Sequence, residues 1–318
     1  MTAYIIRRLF MGVIVLTLVS LLVFTIMRLL PGDPLMLFVA ESDIGSLSAE
    51  QMKGLQQEYG LDKPLFIQYI HWIWGVLSGD LGASIFYQSS VRHLIAERIP
   101  ITLHLGVVSF IVSAIIGITS GVICAIRRGT WLDNLFTVIA NMGITIPAFW
   151  VGILLIYLLA LKLHWLPTYG YTSPFVDFGL NLKQLIMPVL CLSIFPIASL
   201  TRQTRSSMLE VIGQDYIRTA WAKGLRERMI IIRHTLKNAF IPVVTTMGMH
   251  VSFLFGGAVI VETVFNIPGM GRLMRDSVFG QDYQVVQGGV LIIALIVVLT
   301  NIIVDISYGW FDPRIRYG

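Results

Sequence analysis

The chain has 318 residues, of which 56% are hydrophobic and only 13% charged, against about 25% charged in a soluble domain. With a mean hydropathy of +0.78, it is excluded from the ordinary water-soluble classes and belongs in a bilayer. The formal charge of +5 does not point to nucleic acid, because the basic residues gather at the ends of apolar runs, where they set membrane orientation.

Arg7 and Arg8 precede an apolar run from Leu9 to Met27. That run exceeds the roughly 7 to 15 residues of a signal-peptide core, and no small-x-small cleavage site precedes Pro31, so it reads as a retained first span. A bilayer core about 30 Å thick takes roughly 20 helical residues. Runs of that size lie at 9–30, 101–126, 135–161, 184–201, 239–261 and 285–304, the fourth interrupted by Pro188 and Pro196. The expectation is an all-α membrane protein with six transmembrane helices in one domain, residues 1–318.

Between the first two spans, residues 31–100 are too long for a plain connection and are expected to fold. Ser48-Ala49-Glu50-Gln51 fits a capping box, Leu47 and Met52 the accompanying staple, and Gly60 a helix stop. A second helix is expected from Pro64 to Leu77, with Tyr69, Trp72 and Trp74 suited to the membrane interface. A third, short and amphipathic, is expected from Val91 to Ile99, before Pro100 turns the chain inward.

Placing the N-terminus in the cytoplasm assigns 14 of the 23 Lys and Arg to the inner side: Arg7, Arg8, Arg127, Arg128, Arg314, Arg316 and eight in residues 202–238. Short inner connections are then densely basic, so both termini are expected in the cytoplasm and the 31–100 loop outside.

The usual catalytic signatures are missing: there is no phosphate-binding Gly-x4-Gly-Lys-Ser/Thr loop, no His-Glu-x-x-His and no Gly-x-Ser-x-Gly. Cys124 and Cys191 sit in apolar runs as small hydrophobes, and the six histidines lack metal-ligand spacing. Gly117-Ile118-Thr119-Ser120-Gly121 fits close helix packing better than a serine nucleophile. Ionisable groups inside spans are costly and therefore point to function. Of these, Glu262, Asp305 and His104 fall near span ends, where interfacial anchoring accounts for the two carboxylates. His250 lies mid-span and suits either a pathway lining or an interhelical hydrogen bond. Asn141, Glu262 and His250 are the candidates for a translocation pathway.

The strongest anomaly is residues 202–238, which hold eight Lys and Arg. From Asp215, a natural N-cap, Ile217, Ala220, Trp221 and Leu225 recur at helical spacing while Arg218, Thr219 and Lys223 face elsewhere. Gly224 sits where a left-handed cap ends this helix. A second helical stretch, Leu225 to Asn238, leads into Pro242 and the fifth span. Such an arrangement is a lever able to pass on force applied at its tip; a solvated or lipid-facing basic helix is the other reading.

The residues of this segment resemble the coupling loop of membrane permease subunits of ATP-binding-cassette importers, in particular the dipeptide, oligopeptide and nickel group. Arg218-Thr219-Ala220 occupies the positions of the family's Glu-Ala-Ala and Gly224 that of its glycine. Leu236-Lys237 stands where other branches have Leu-Pro. The likeness continues through Arg28-Leu29-Leu30-Pro31-Gly32-Asp33-Pro34, Tyr59-Gly60-Leu61-Asp62-Lys63-Pro64, Gly79-Asp80-Leu81-Gly82, Arg233 to Ala239, Glu262 to Gly271 and Asp312-Pro313-Arg314. The early first span is similar to that of the first permease of such systems.

The resemblance implies a type I importer permease fold and a place in a bacterial inner membrane. It also implies a second permease as partner, two cytoplasmic ATPase subunits that bind ATP and Mg²⁺, an extracytoplasmic substrate-binding protein, and no cofactor or catalysis in this chain. Asp215, Tyr216, Arg218, Thr219, Ala220, Ala222, Lys223, Gly224 and Leu225 would meet the ATPase. The substrate class it implies is di- or oligopeptides, with nickel, glutathione or another small solute as alternatives. From the residues alone, a self-sufficient carrier or channel is the competing class.

Overall fold

A computed structural model describes residues 2–30, 51, 53, 54 and 62–311, with side chains described between Ile6 and Val304. The expected cap at Ser48 to Glu50 with Leu47, Met52 and Gly60 lies outside the described residues. So do the motif segments 31–34, 59–61 and 312–314 and the side chain of Asp305. Among the described residues the structure is helical, with one isolated antiparallel bridge between Ala83 and Ser90.

The elements run α1 (Thr2–Leu29), α2 (Leu65–Leu77), α3 (Val91–Ile126), α4 (Trp131–Thr145), α5 (Ala148–Lys162) and α6 (Phe178–Ile212). They continue as α7 (Asp215–Ala222), α8 (Glu227–Val264), α9 (Met270–Phe279) and α10 (Tyr283–Phe311). Among the described residues five of these helices are long and apolar enough to cross a membrane, and a sixth crossing is reached if the bent pair α4–α5 counts as one span. Five of the six expected spans are present as single helices with different boundaries, and the expected span 135–161 is the bent pair.

Two expectations are corrected. Residues 135–161 do not form one continuous span, because α4 and α5 meet at an angle of 105°. Ile146, extended at φ −77° and ψ 127°, precedes Pro147 at the N-cap of α5. The proline ring excludes the α conformation at the residue before it, so the apolar run is long enough but cannot stay straight. Conversely, Val91–Ile99 is no separate helix: α3 continues unbroken through Pro100. The loss of a backbone donor, about 3 kcal/mol, is set against the burial of Leu94, Ile95 and Leu105 along the same helix. In α6, Pro188 and Pro196 are likewise buried within a continuous helix.

The chain packs as two compact units, one comprising Ile6–Thr102 with Pro268–Val298, the other Leu103–Ile267 with Leu299–Gly318 and Met1–Ile5. In the first, Val23, Phe24 and Met27 of α1 pack with Trp72 of α2 and with Tyr283 and Val286 of α10. Trp72 is thus packed in the core, whereas Trp74 is 73% exposed. The Arg28 guanidinium lies over the rings of Phe24 at 5.0 Å and Tyr283 at 4.6 Å and donates to Gln68 Oε1 at 2.9 Å. A second cluster joins Leu81, Leu94 and Ile95 to Met270, Leu273 and Met274.

The turn 82–90 is stitched to this unit through Asp282, which is buried. Its Oδ2 accepts from the Ser84 hydroxyl and, at 3.3 Å, from the Phe86 N–H, while Oδ1 accepts from the Val285 N–H at 3.4 Å. Burial raises the Asp282 carboxyl above its ordinary value against the lowering effect of these bonds.

In the second unit, α6 is central. A methyl group on Gly117 would lie 2.7 Å from Leu200 Cβ, and one on Gly121 2.5 Å from Thr204 Cβ and 2.7 Å from the Thr201 carbonyl. The Gly-x3-Gly pair therefore lets α3 approach α6 closely, the packing role expected of it. Ser120 is buried there. Cys191 donates its thiol to the Ala148 carbonyl at 2.8 Å, tying α6 to the break between α4 and α5.

Candidate functional site

The basic segment begins as the last turns of α6, carrying Arg202 and Arg205, and α7 follows after a two-residue turn. Helix α7 is short and strongly two-faced. Ile217 and Ala220 are buried and pack with Ile230 of α8, with Val211 and Leu225 alongside. Asp215, Tyr216, Arg218, Thr219, Trp221, Ala222 and Lys223 are exposed. Trp221, 49% exposed, lies on the outer face and not on the apolar one assigned to it by spacing.

Asp215 is not the N-cap: that position is Gln214, with no side-chain cap bond, and Asp215 occupies the first helical turn. There its charge still complements the helix dipole. Its pairing with Arg218 at 3.4 Å is exposed and therefore weak. Thr219 Oγ1 donates to the Asp215 carbonyl at 3.0 Å.

The end of α7 is closed by a turn in which the Gly224 N–H donates to the Trp221 carbonyl at 2.9 Å and the Leu225 N–H to the Ala220 carbonyl at 3.4 Å. This is the Schellman pattern, and Gly224 supplies its left-handed residue at φ +72°. Leu225 adds the apolar contact such a turn favours. Tyr216 is held to α8, its hydroxyl accepting from Asn238 Nδ2 at 3.1 Å; the same amide donates to the His234 carbonyl at 2.7 Å. Between these anchors α8 passes through a π-helical stretch, Ile230–Leu236. Such stretches recur at functional sites.

A short exposed helix is thus braced from behind by Ile217, Ala220, Ile230 and the Tyr216–Asn238 bond. Its front carries two aromatic side chains among charges, the composition of a protein-binding surface.

The pathway candidates have different surroundings. Asn141 is exposed on α4. His250 is buried on α8, its ring edge-on to Phe195 at 5.7 Å, and its Nε2 has no hydrogen-bond partner. Glu262 is completely buried, not placed near water as its position at a span end suggested. His104 Nδ1 pairs with the Tyr171 hydroxyl at 2.9 Å. Sequence reasoning missed the cavity of about 500 Å³ beside the α4–α5 break, lined among others by Ile146, Pro147, Phe149, Cys191, Phe195 and Phe253. Pro147 was its one visible signal.

Residues 117–317 match the family of binding-protein-dependent transport system inner membrane components, and residues 1–106 match the N-terminal part of such membrane components. The chain belongs to this family. The permease is 40% identical over its full length to a putative peptide transport system permease of Brucella abortus, all of which it covers. It is also 40% identical to the dipeptide transport system permease DppB of Escherichia coli, with 100% of this chain and 99% of that one covered. A chain of the methionine transporter MetNI, solved in inward-facing conformations, superposes with a TM-score of 0.57 at 18% identity, covering 69% of this permease and 96% of that chain. The permease therefore has the type I importer fold and is a multi-pass membrane subunit of an ATP-binding-cassette importer. Permeases of this kind work with a partner permease, an ATPase and a binding protein.

Proposed function

We propose that this permease forms, with a second permease, the pathway for di- or oligopeptides, and that residues 215–225 receive the movement of a partner ATPase. The observation that carries the coupling role is the two-faced α7: a buried anchor of Ile217 and Ala220 under an exposed surface of Tyr216, Arg218, Thr219, Trp221 and Lys223. Force on that surface passes through Gly224 and Leu225 into α8 and, through the Tyr216–Asn238 bond, into the same helix further along. ATP and Mg²⁺ belong to two partner ATPase subunits. This chain holds no cofactor and performs no covalent chemistry. A binding protein delivers substrate from outside, and both chain ends lie in the cytoplasm of a bacterium. The names of the full-length relatives support the peptide class.

The test is Gly224→Pro in the purified complex. Proline cannot adopt φ +72°, so the turn must deform while the membrane pathway is untouched. ATP hydrolysis should continue while uptake of a labelled dipeptide into proteoliposomes is lost; unchanged uptake overturns the coupling role. Competition by nickel or glutathione but not by dipeptides would replace the substrate class.

A further inference from the structure

One polar cluster stands outside the coupling segment and the cavity. Asp133, in the first turn of α4, is buried, with 4% of its side chain exposed. It meets Arg205 of α6 in a two-pronged ion pair: Arg205 Nε donates to Oδ1 at 2.7 Å and an Arg205 terminal nitrogen to Oδ2 at 2.9 Å. The carboxylate is completed by the Gly129 N–H at 3.0 Å on Oδ2 and, more distantly, by the Thr137 hydroxyl at 3.5 Å on Oδ1. Both oxygens are thus used, and the planar guanidinium fixes orientation as well as distance.

Its neighbours make the place rigid. Thr204, adjacent to Arg205, packs against Gly121 of α3, where an added methyl group would lie 2.5 Å from Thr204 Cβ. The same turns of α6 are therefore held to α3 by contact without side-chain clearance and to α4 by an ion pair whose carboxylate is buried and whose guanidinium is partly exposed. Arg205 stands ten residues before Asp215 on the helix that feeds α7. Parting the pair would leave the Asp133 carboxylate, 4% exposed, without its cation, which is destabilising.

We propose that Asp133 and Arg205 are positioning residues that keep the start of α4 locked to α6 throughout the transport cycle, so that movement received at α7 carries α4 and α6 together. This rests on the reading of α7 as the coupling segment. The pair touches no substrate; it acts by making α7 push on a stiff body in place of a single flexible helix.

Two measurements on the assembled complex test it. Spin labels at Asn134→Cys and Ser206→Cys leave the pair intact, and native Cys124 and Cys191 are buried and escape labelling. The label-to-label distance should be the same in nucleotide-free and in ATP–vanadate-trapped complexes; a shift between the two states overturns the lock. This readout needs no substrate, so it stands even if the peptide reading fails in wild-type uptake. In the second, Asp133→Asn should lower dipeptide uptake per ATP hydrolysed, with Arg205→Lys retaining more of it than Arg205→Gln. A proportional fall of uptake and hydrolysis, leaving their ratio unchanged, would mean that the pair only supports folding, and overturns the positioning role.

Discussion

At the residue scale, Asp282 carries a pH dependence whose sign follows from its burial. The folded state raises its pKa, so the folded chain binds this proton more tightly than the unfolded one. The stabilisation is complete below the ordinary carboxylate value of about 3.9 and is lost as pH rises through the raised folded value. The 82–90 turn should therefore be better protected from opening, after correction of exchange rates for their intrinsic pH dependence, on the acid side of that window than at neutral pH. Asp282→Asn should flatten the dependence while keeping the acceptor for Ser84. Asp282→Ala, which strands Ser84 and the Phe86 N–H, should destabilise by about 1–3 kcal/mol. At Gly121 the expectation is purely steric: Gly121→Val must displace Thr204 or the Thr201 backbone, and thermal unfolding should report a loss of about 1–3 kcal/mol. The Gly-x3-Gly spacing was legible in the chain itself, because only small residues permit such an approach. The role of Asp282 was not, since nothing in residues 82–90 reveals that a turn nearly 200 residues away will supply its carboxylate.

At the scale of elements, α7 separates a buried face, Ile217 and Ala220, from an exposed one. Ile217→Ala removes a fully buried side chain and should loosen the helix, seen as faster hydrogen exchange over 215–225. Trp221→Ala removes an exposed ring and should leave exchange unchanged while weakening ATPase association, by roughly thirtyfold, about 2 kcal/mol, if it is a central contact. The length of α7 and its glycine stop were readable from apolar spacing and from the conformational demand met by Gly224. Which way Trp221 points was not, because helical spacing alone allowed the ring to share the face of Ile217, whereas the position of α8 decides that only Ile217 and Ala220 are covered. The same limit explains α4 and α5. Hydropathy measures how far an apolar run extends, and whether a proline breaks it depends on what packs around it: Pro147 bends the chain by 105°, while Pro100, Pro188 and Pro196 do not interrupt their helices.

For the whole molecule, orientation is the property with the most direct consequence. With α7 facing the cytoplasm, Lys223→Cys should react with a membrane-impermeant maleimide only after cells are opened. Phe175→Cys, at the 98% exposed tip of the α5–α6 connection, should react in intact cells. The reverse pattern would invert the topology. By itself the sequence determined the membrane class, the family and the place of the short two-faced helix α7, because each is written in local composition, periodicity or an ordered series of motifs. Only the tertiary structure decided that Trp72 and Glu262 are core residues, that the apolar run 135–161 is bent between α4 and α5 beside a cavity, and that Asp133 and Arg205 form a pair. Those properties depend on which distant segments meet, and burial, charge pairing and cavity formation belong to the meeting and to neither segment alone.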